Sequence, residues 1–269
     1  MNGKKGLLLF SRERWLRDAT IRLVRAERIT WLGQTTEVGA TLKLADNIAR
    51  VRERMELACR RAGRRSEEVR LVAVSKTFSA AIIHEAFEAG LRDFGENRVQ
   101  EAAQKMQLLS GLDITWHLIG HLQSNKVRKA RDLFKYIHSV DSSHVATKLH
   151  EAASNTDERL PILLQVNLAG EASKFGLREE ETPEAAVAIS QLPTLELRGL
   201  MLIPPFFENA ELVRPYFRRL HELADKITAS HMPNVSMKEL SMGMSHDFEV
   251  AIEEGATMIR LGTAIFGVR

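Results

Sequence analysis

A chain of 269 residues, 44% hydrophobic and 27% charged, can bury one large core, and its evenly spread apolar residues, without a low-complexity break, favour one core over two. The formal charge of +3 is concentrated in the first 36 residues, where eight Lys/Arg meet three Asp/Glu; the remainder is slightly acidic, which argues against nucleic-acid binding by a basic folded body. The single cysteine, Cys59, excludes an internal disulfide and a Cys-rich metal site and suits a reducing, cytoplasmic setting, and no apolar run approaches the roughly 20 residues of a membrane-crossing helix.

Residues 1–40 read as a basic N-terminal extension, with Arg12, Arg14, Arg17, Arg22, Arg25 and Arg28 interleaved with Trp15, Leu16, Ile21, Leu23 and Val24. The pattern predicts a basic amphipathic helix or a poorly ordered segment; Glu13, Asp18 and Glu27 count against a transit peptide. From 41 to 269 the chain reads as one domain. It opens with an additional helix, because Leu44, Ile48, Val51, Met55 and Ala58 recur at helical spacing before Gly63 ends the run. Eight strands are then predicted, at 71–75, 92–95, 114–119, 136–140, 161–167, 197–203, 238–242 and 257–261, each separated from the next by room for a helix. Gly90 and Gly255 stand as helix C-caps before strands two and eight. Thr182-Pro183-Glu184, Asn209 and Ser245 mark helix starts. Eight β/α units predict an α/β fold, a single (β/α)8 TIM barrel with an additional N-terminal helix.

In such a barrel the chemistry lies just beyond the C-terminal ends of the strands. Strand one ends at Lys76, where low polarity would favour a neutral amine able to condense with an aldehyde; the alternative is a lysine that snorkels to solvent. Gly95-Glu96-Asn97-Arg98 follows strand two, Gly120 to Lys126 follows strand three, and Asn167 follows strand five. Ser241, Ser245, Gly262 and Thr263, after strands seven and eight, fit a phosphate cradle of backbone amides and hydroxyls. An amine facing a phosphate cradle suggests a phosphorylated aldehyde held as a Schiff base, with pyridoxal 5′-phosphate (PLP) the leading candidate. The scattered His138, His144, His150 and His221 lack metal-ligand spacing, so no metal site is predicted.

Six ordered segments carry a resemblance: Leu71–Thr77, Phe94–Glu101, Trp116–Lys126, Ser173–Gly176, Leu240–Ser245 and Ile259–Gly267. Over about residues 43–269 the chain resembles the pyridoxal phosphate homeostasis family, single-domain fold type III barrels related to the N-terminal domain of alanine racemase. The resemblance implies that Lys76 forms the Schiff base and Arg260 faces the pyridine nitrogen. It also implies that Ser241 with Met242, and Gly262 with Thr263, bind the phosphate, while Asn97 and His117 line the pocket. His246 stands where the family usually has an acid, and Arg98 where an aromatic residue is frequent.

An arginine at the ring nitrogen leaves that nitrogen unprotonated and weakens the electron sink. Racemising relatives add a second base, typically a tyrosine from another domain, whereas the tyrosines here are Tyr136 and Tyr216, at a strand start and within a helix. His117 and His121 are the remaining candidates for a base. The implied function is intracellular vitamin B6 homeostasis by a monomeric PLP carrier, without a catalytic residue, that supplies PLP-dependent apo-enzymes. The alternatives are an amino-acid racemase and, further off, an aldolase-like enzyme forming a Schiff base with a sugar phosphate.

Overall fold

The eight predicted strands form one closed parallel sheet in the computed structural model, which describes residues 34–153, 158–171 and 174–267. They are β1 (Arg70–Val74), β2 (Asp93–Glu96), β3 (Thr115–Leu118), β4 (Tyr136–Val140), β5 (Leu160–Val166), β6 (Leu195–Leu202), β7 (Val235–Ser241) and β8 (Met258–Leu261). They run around the barrel in chain order, and β8 closes on β1 with Arg70 opposite Met258 and Ala73 opposite Leu261. The chain is therefore the predicted (β/α)8 barrel. Of the extension predicted at 1–40, residues 1–33 lie outside the described residues, and 34–40 belong to the helix Gln34–Arg61.

Helix α1 (Gln34–Arg61) precedes the barrel. Its predicted stripe of Leu44, Ile48, Val51, Met55 and Ala58 is buried throughout, as an amphipathic helix requires. Next come α2 (Ala80–Glu88), α3 (Val99–Leu108), α4 (Val127–Leu133), α5 (Ser143–Glu151) and α6 (Thr182–Ser190), then α7 (Arg214–Thr228), α8 (Phe248–Glu253) and α9 (Thr263–Phe266). Ser79 and Ser142 cap α2 and α5 by accepting from the N–H groups of Ile82 and Val145. Thr182, expected as a cap, is instead the first residue of α6, because the turn Glu179–Glu181 carries the helix start backwards. Gly90 and Gly255 take φ values of +91° and +99°, the left-handed geometry that ends a helix before a strand.

Most of the core lies between sheet and helices, while Tyr136, Leu163, Met201 and Met258 form a separate buried cluster that fills the barrel interior. At the N-terminal ends of the strands the interior is polar. The Tyr136 hydroxyl accepts from Arg198 Nη1 at 2.6 Å and donates to Glu239 Oε1 at 3.3 Å. Tyr136 is thus a structural plug at the end opposite the predicted chemistry. Among the described residues no helix is long and apolar enough to cross a membrane.

Candidate functional site

Lys76 leaves β1 at the C-terminal mouth of the barrel and is exposed, rather than sunk in the low-polarity pocket expected from the sequence. Its two neighbours are held firmly. Ser75 is fully buried; its Oγ donates to Glu96 Oε1 at 2.6 Å, and its carbonyl accepts from Lys105 Nζ at 2.9 Å. Lys105 Nζ also meets Glu96 Oε1 and Glu101 Oε1, each at 2.7 Å. Glu101 Oε1 accepts from the Thr77 N–H at 2.6 Å, and Thr77 sits at φ +66°, a genuine outlier for a β-branched residue. Burial raises the Glu96 carboxyl despite its bonds to Lys105 and Ser75. For Glu101, burial also pushes upward, but Lys105 and the Thr77 N–H bring the carboxyl below its ordinary value. The charge of Lys105 is therefore matched chiefly by Glu101.

Arg260, on β8, is 4% exposed. It donates from Nη1 to Ser241 Oγ at 2.7 Å and from Nη2 to the Leu202 carbonyl at 2.8 Å. Ser241 Oγ lies 2.8 Å from His138 Nδ1, His138 Nε2 lies 2.9 Å from His117 Nδ1, and His117 Nε2 lies 2.9 Å from Asp93 Oδ1. One proton order satisfies this chain. The guanidinium only donates and the Asp93 carboxylate only accepts, so with two neutral rings the Ser241 hydroxyl donates to His138 Nδ1. His138 then donates from Nε2 to His117 Nδ1, and His117 donates from Nε2 to the Asp93 carboxylate. Burial lowers both histidines, His138 well below its ordinary value, in keeping with two neutral rings. Burial likewise lowers Arg260 to about 10, which leaves it charged at neutral pH.

This chain revises two expectations. His117 is fully buried with both ring nitrogens engaged, so it acts on the site through His138 rather than by lining it. The Ser241 hydroxyl is committed to Arg260 and His138, which makes it an anchor for the arginine instead of a phosphate ligand. Met242, fully buried, spends its N–H on the Met258 carbonyl at 3.1 Å and extends the sheet.

The corner between β7 and β8 is organised by Ser245. Its Oγ accepts from the N–H groups of Gly262 at 3.3 Å and Ala264 at 3.2 Å, and Thr263 lies exposed beside it. The acid sought at His246 stands one residue on: Asp247 Oδ1 accepts from the Met244 N–H at 2.6 Å. His246 points instead to the carbonyls of Phe207 and Glu208. Across the mouth, half-buried Asn97 lines a cleft of about 360 Å³ with Arg98, Gly120, His121 and Lys126. Gly120 permits this approach, since a Cβ there would lie 2.7 Å from Asn97 Cα. His121 bonds Asp141 at 2.9 Å and stacks on Phe175. A second cavity, of about 680 Å³ and lined by α1, Arg70 and Asp93, opens at the N-terminal ends of the strands, away from this mouth.

The donor set fits PLP: an exposed amine at β1, N–H groups and hydroxyls at the β7–β8 corner, and a buried guanidinium between them. Among the described residues no cluster of His, Cys, Asp and Glu suits a metal ion. Sequence reasoning missed Glu101, Lys105, His138 and Asp247. The i,i+4 spacing of Glu101 and Lys105 on α3, and the inward i,i+2 spacing of Tyr136 and His138 on β4, were the available signals.

Residues 44–269 match the family model "Alanine racemase, N-terminal domain". Relatives named pyridoxal phosphate homeostasis protein include one from Aquifex aeolicus, 44% identical over 85% of this chain and 99% of its own length. Another, from Pseudomonas aeruginosa, is 47% identical over 84% of this chain and 96% of its own length. Among solved structures, PipY of Synechococcus elongatus PCC7942 with PLP bound is 39% identical at a TM-score of 0.73, covering 83% of this chain and all of that one. Alanine racemase from Clostridium difficile 630, at 14% identity and a TM-score of 0.67 over 84% of this chain and 57% of that one, shares the fold. The chain belongs to the alanine racemase N-terminal domain family and, within it, to the pyridoxal phosphate homeostasis proteins.

Proposed function

We propose that this chain binds PLP reversibly through Lys76 and serves as a carrier that buffers the cofactor and supplies it to PLP-dependent apo-enzymes. The observation that carries this reading is Lys76 as an exposed residue at the barrel mouth, between Ser75 and Thr77 whose backbone groups are both hydrogen-bonded: water and an acceptor protein both reach it, whereas catalysts that stabilise carbanions exclude water from the reacting centre. When bound, PLP supplies an aldehyde that condenses with the amine with loss of one water. Arg260, fixed by Ser241 and Leu202 O, presents donors only, which leaves no acid to protonate a ring nitrogen placed against it. Thr263 and the hydroxyl of Ser245, whose oxygen gathers the Gly262 and Ala264 N–H groups, bind the phosphate at the β7–β8 corner, and Asn97 bounds the opposite wall. The relatives' name and the PLP in the PipY structure support the same reading. A monomer in the cytoplasm completes it.

Lys76→Ala is expected to remove the visible absorption band formed on adding PLP, and borohydride followed by peptide mass mapping is expected to place the trapped adduct of the parent chain on Lys76. An adduct on another lysine overturns the assignment. The racemase reading has one feature in its favour, the His121–Asp141 pair at the rim. It predicts loss of optical rotation from L-alanine by the PLP-loaded chain, while the carrier reading predicts none.

A further inference from the structure

Two local costs meet beside Lys76. Thr77 occupies the left-handed region, which its branched side chain opposes, and Glu96 Oε2 is buried without a hydrogen-bond partner. A buried ion cluster is weak evidence for stability, so strain gathered around one lysine points to geometry being held. Lys105 itself is 7% exposed and faces three acceptors, Ser75 O, Glu96 and Glu101, so it is a clamp and not a competing amine.

We propose that Glu101 and Lys105 are positioning residues for Lys76. By tying the Ser75 carbonyl and the Thr77 N–H to one buried point, they hold Thr77 left-handed and fix the direction in which the Lys76 side chain leaves the backbone. Without the Glu101 acceptor, Thr77 relaxes to the extended region and the amine turns away from its partners at the mouth. The inference rests on Lys76 being the amine that takes the aldehyde. It adds which residues set that amine's direction.

The test uses Glu101→Ala and the double variant Thr77→Gly/Glu101→Ala, because glycine adopts the left-handed conformation without Cβ strain. Melting of the unliganded proteins and the PLP dependence of the borohydride-trapped adduct are measured together. Glu101→Ala is expected to need roughly tenfold more PLP for half-maximal adduct, the scale of one backbone well, in protein that stays folded at the assay temperature although its melting temperature falls because Lys105 loses a partner. The double variant is expected to recover most of that loss, which a merely structural role does not predict. An unchanged PLP dependence, a loss matched by unfolding, or a failure of the glycine to rescue overturns the proposal. Independently of any ligand, a crystal structure of Glu101→Ala is expected to show Thr77 outside the left-handed region; retention there also overturns it. A parent chain without adduct refutes the PLP reading instead, and the crystal structure then decides this inference alone.

Discussion

At the end of β1, three charged side chains gather around two peptide groups, whereas beneath Arg260 two uncharged imidazoles and a hydroxyl link a buried guanidinium to a carboxylate at the other end of the barrel. In the first network the held parts are backbone, the Ser75 carbonyl and the Thr77 N–H, and the holders are ions in contact at 2.7 Å. In the second the held part is a side chain, and only its two ends carry charge. The difference follows from what each must resist. Fixing a strained backbone takes strong, charge-assisted bonds, at a desolvation cost that the opposed charges offset. Orienting a guanidinium takes only correctly directed acceptors, and the Leu202 carbonyl and the Ser241 hydroxyl, itself bonded to neutral His138, provide them without adding a second buried charge.

The ionic network should therefore fail more severely when one member is removed. Lys105→Met leaves the buried Glu96 carboxylate and half-buried Glu101 without their cation and is expected to cost about 3 kcal/mol, read as the loss of unfolding free energy in urea; a cost below that of Ser241→Ala breaks the comparison. Ser241→Ala strands a guanidinium donor and the Nδ1 acceptor of His138, with an expected cost of about 1–3 kcal/mol in the same measurement.

The sequence carried the barrel more completely than the site. The β4 boundaries, 136–140, agree between prediction and structure, and all five residues of that strand are buried. β6 and β7 begin at Leu195 and Val235, ahead of the predicted 197 and 238. Glu196, outside the predicted strand, reads as loop in a linear pattern yet pairs with Arg198, which with Glu239 plugs the barrel around Tyr136. Lys76 was legible because a lysine ending an apolar run is locally anomalous. His138 was not, because its meaning lies in Ser241, 103 residues away, and pairing across a barrel leaves no local trace. Lys105 has only its i,i+4 spacing to Glu101 as a local signal, and its role lies in the Ser75 carbonyl, 30 residues away.

The smallest effect tests the neutrality of the second network. His138 is surrounded by His117, Tyr136, Ser241 and Arg260, and burial, with His117, Arg260 and Arg70 adding to it, holds its value well below the ordinary one. In the unfolded chain it titrates near its usual value of about 6.5. As pH falls through that value the unfolded chain binds a proton that the folded chain does not. Stability from this group is thus complete above about pH 6.5 and is lost on acidification, by up to about 1.4 kcal/mol per pH unit. Glu96, Glu239 and Asp247, raised by burial, act with the opposite sign, so the parent must be compared with His138→Asn from about pH 8 down to about pH 5. The variant is expected to start less stable and to close the gap as pH falls. Parallel curves would mean that His138 takes up a proton inside the fold, and the single proton order from Arg260 to Asp93 would no longer hold.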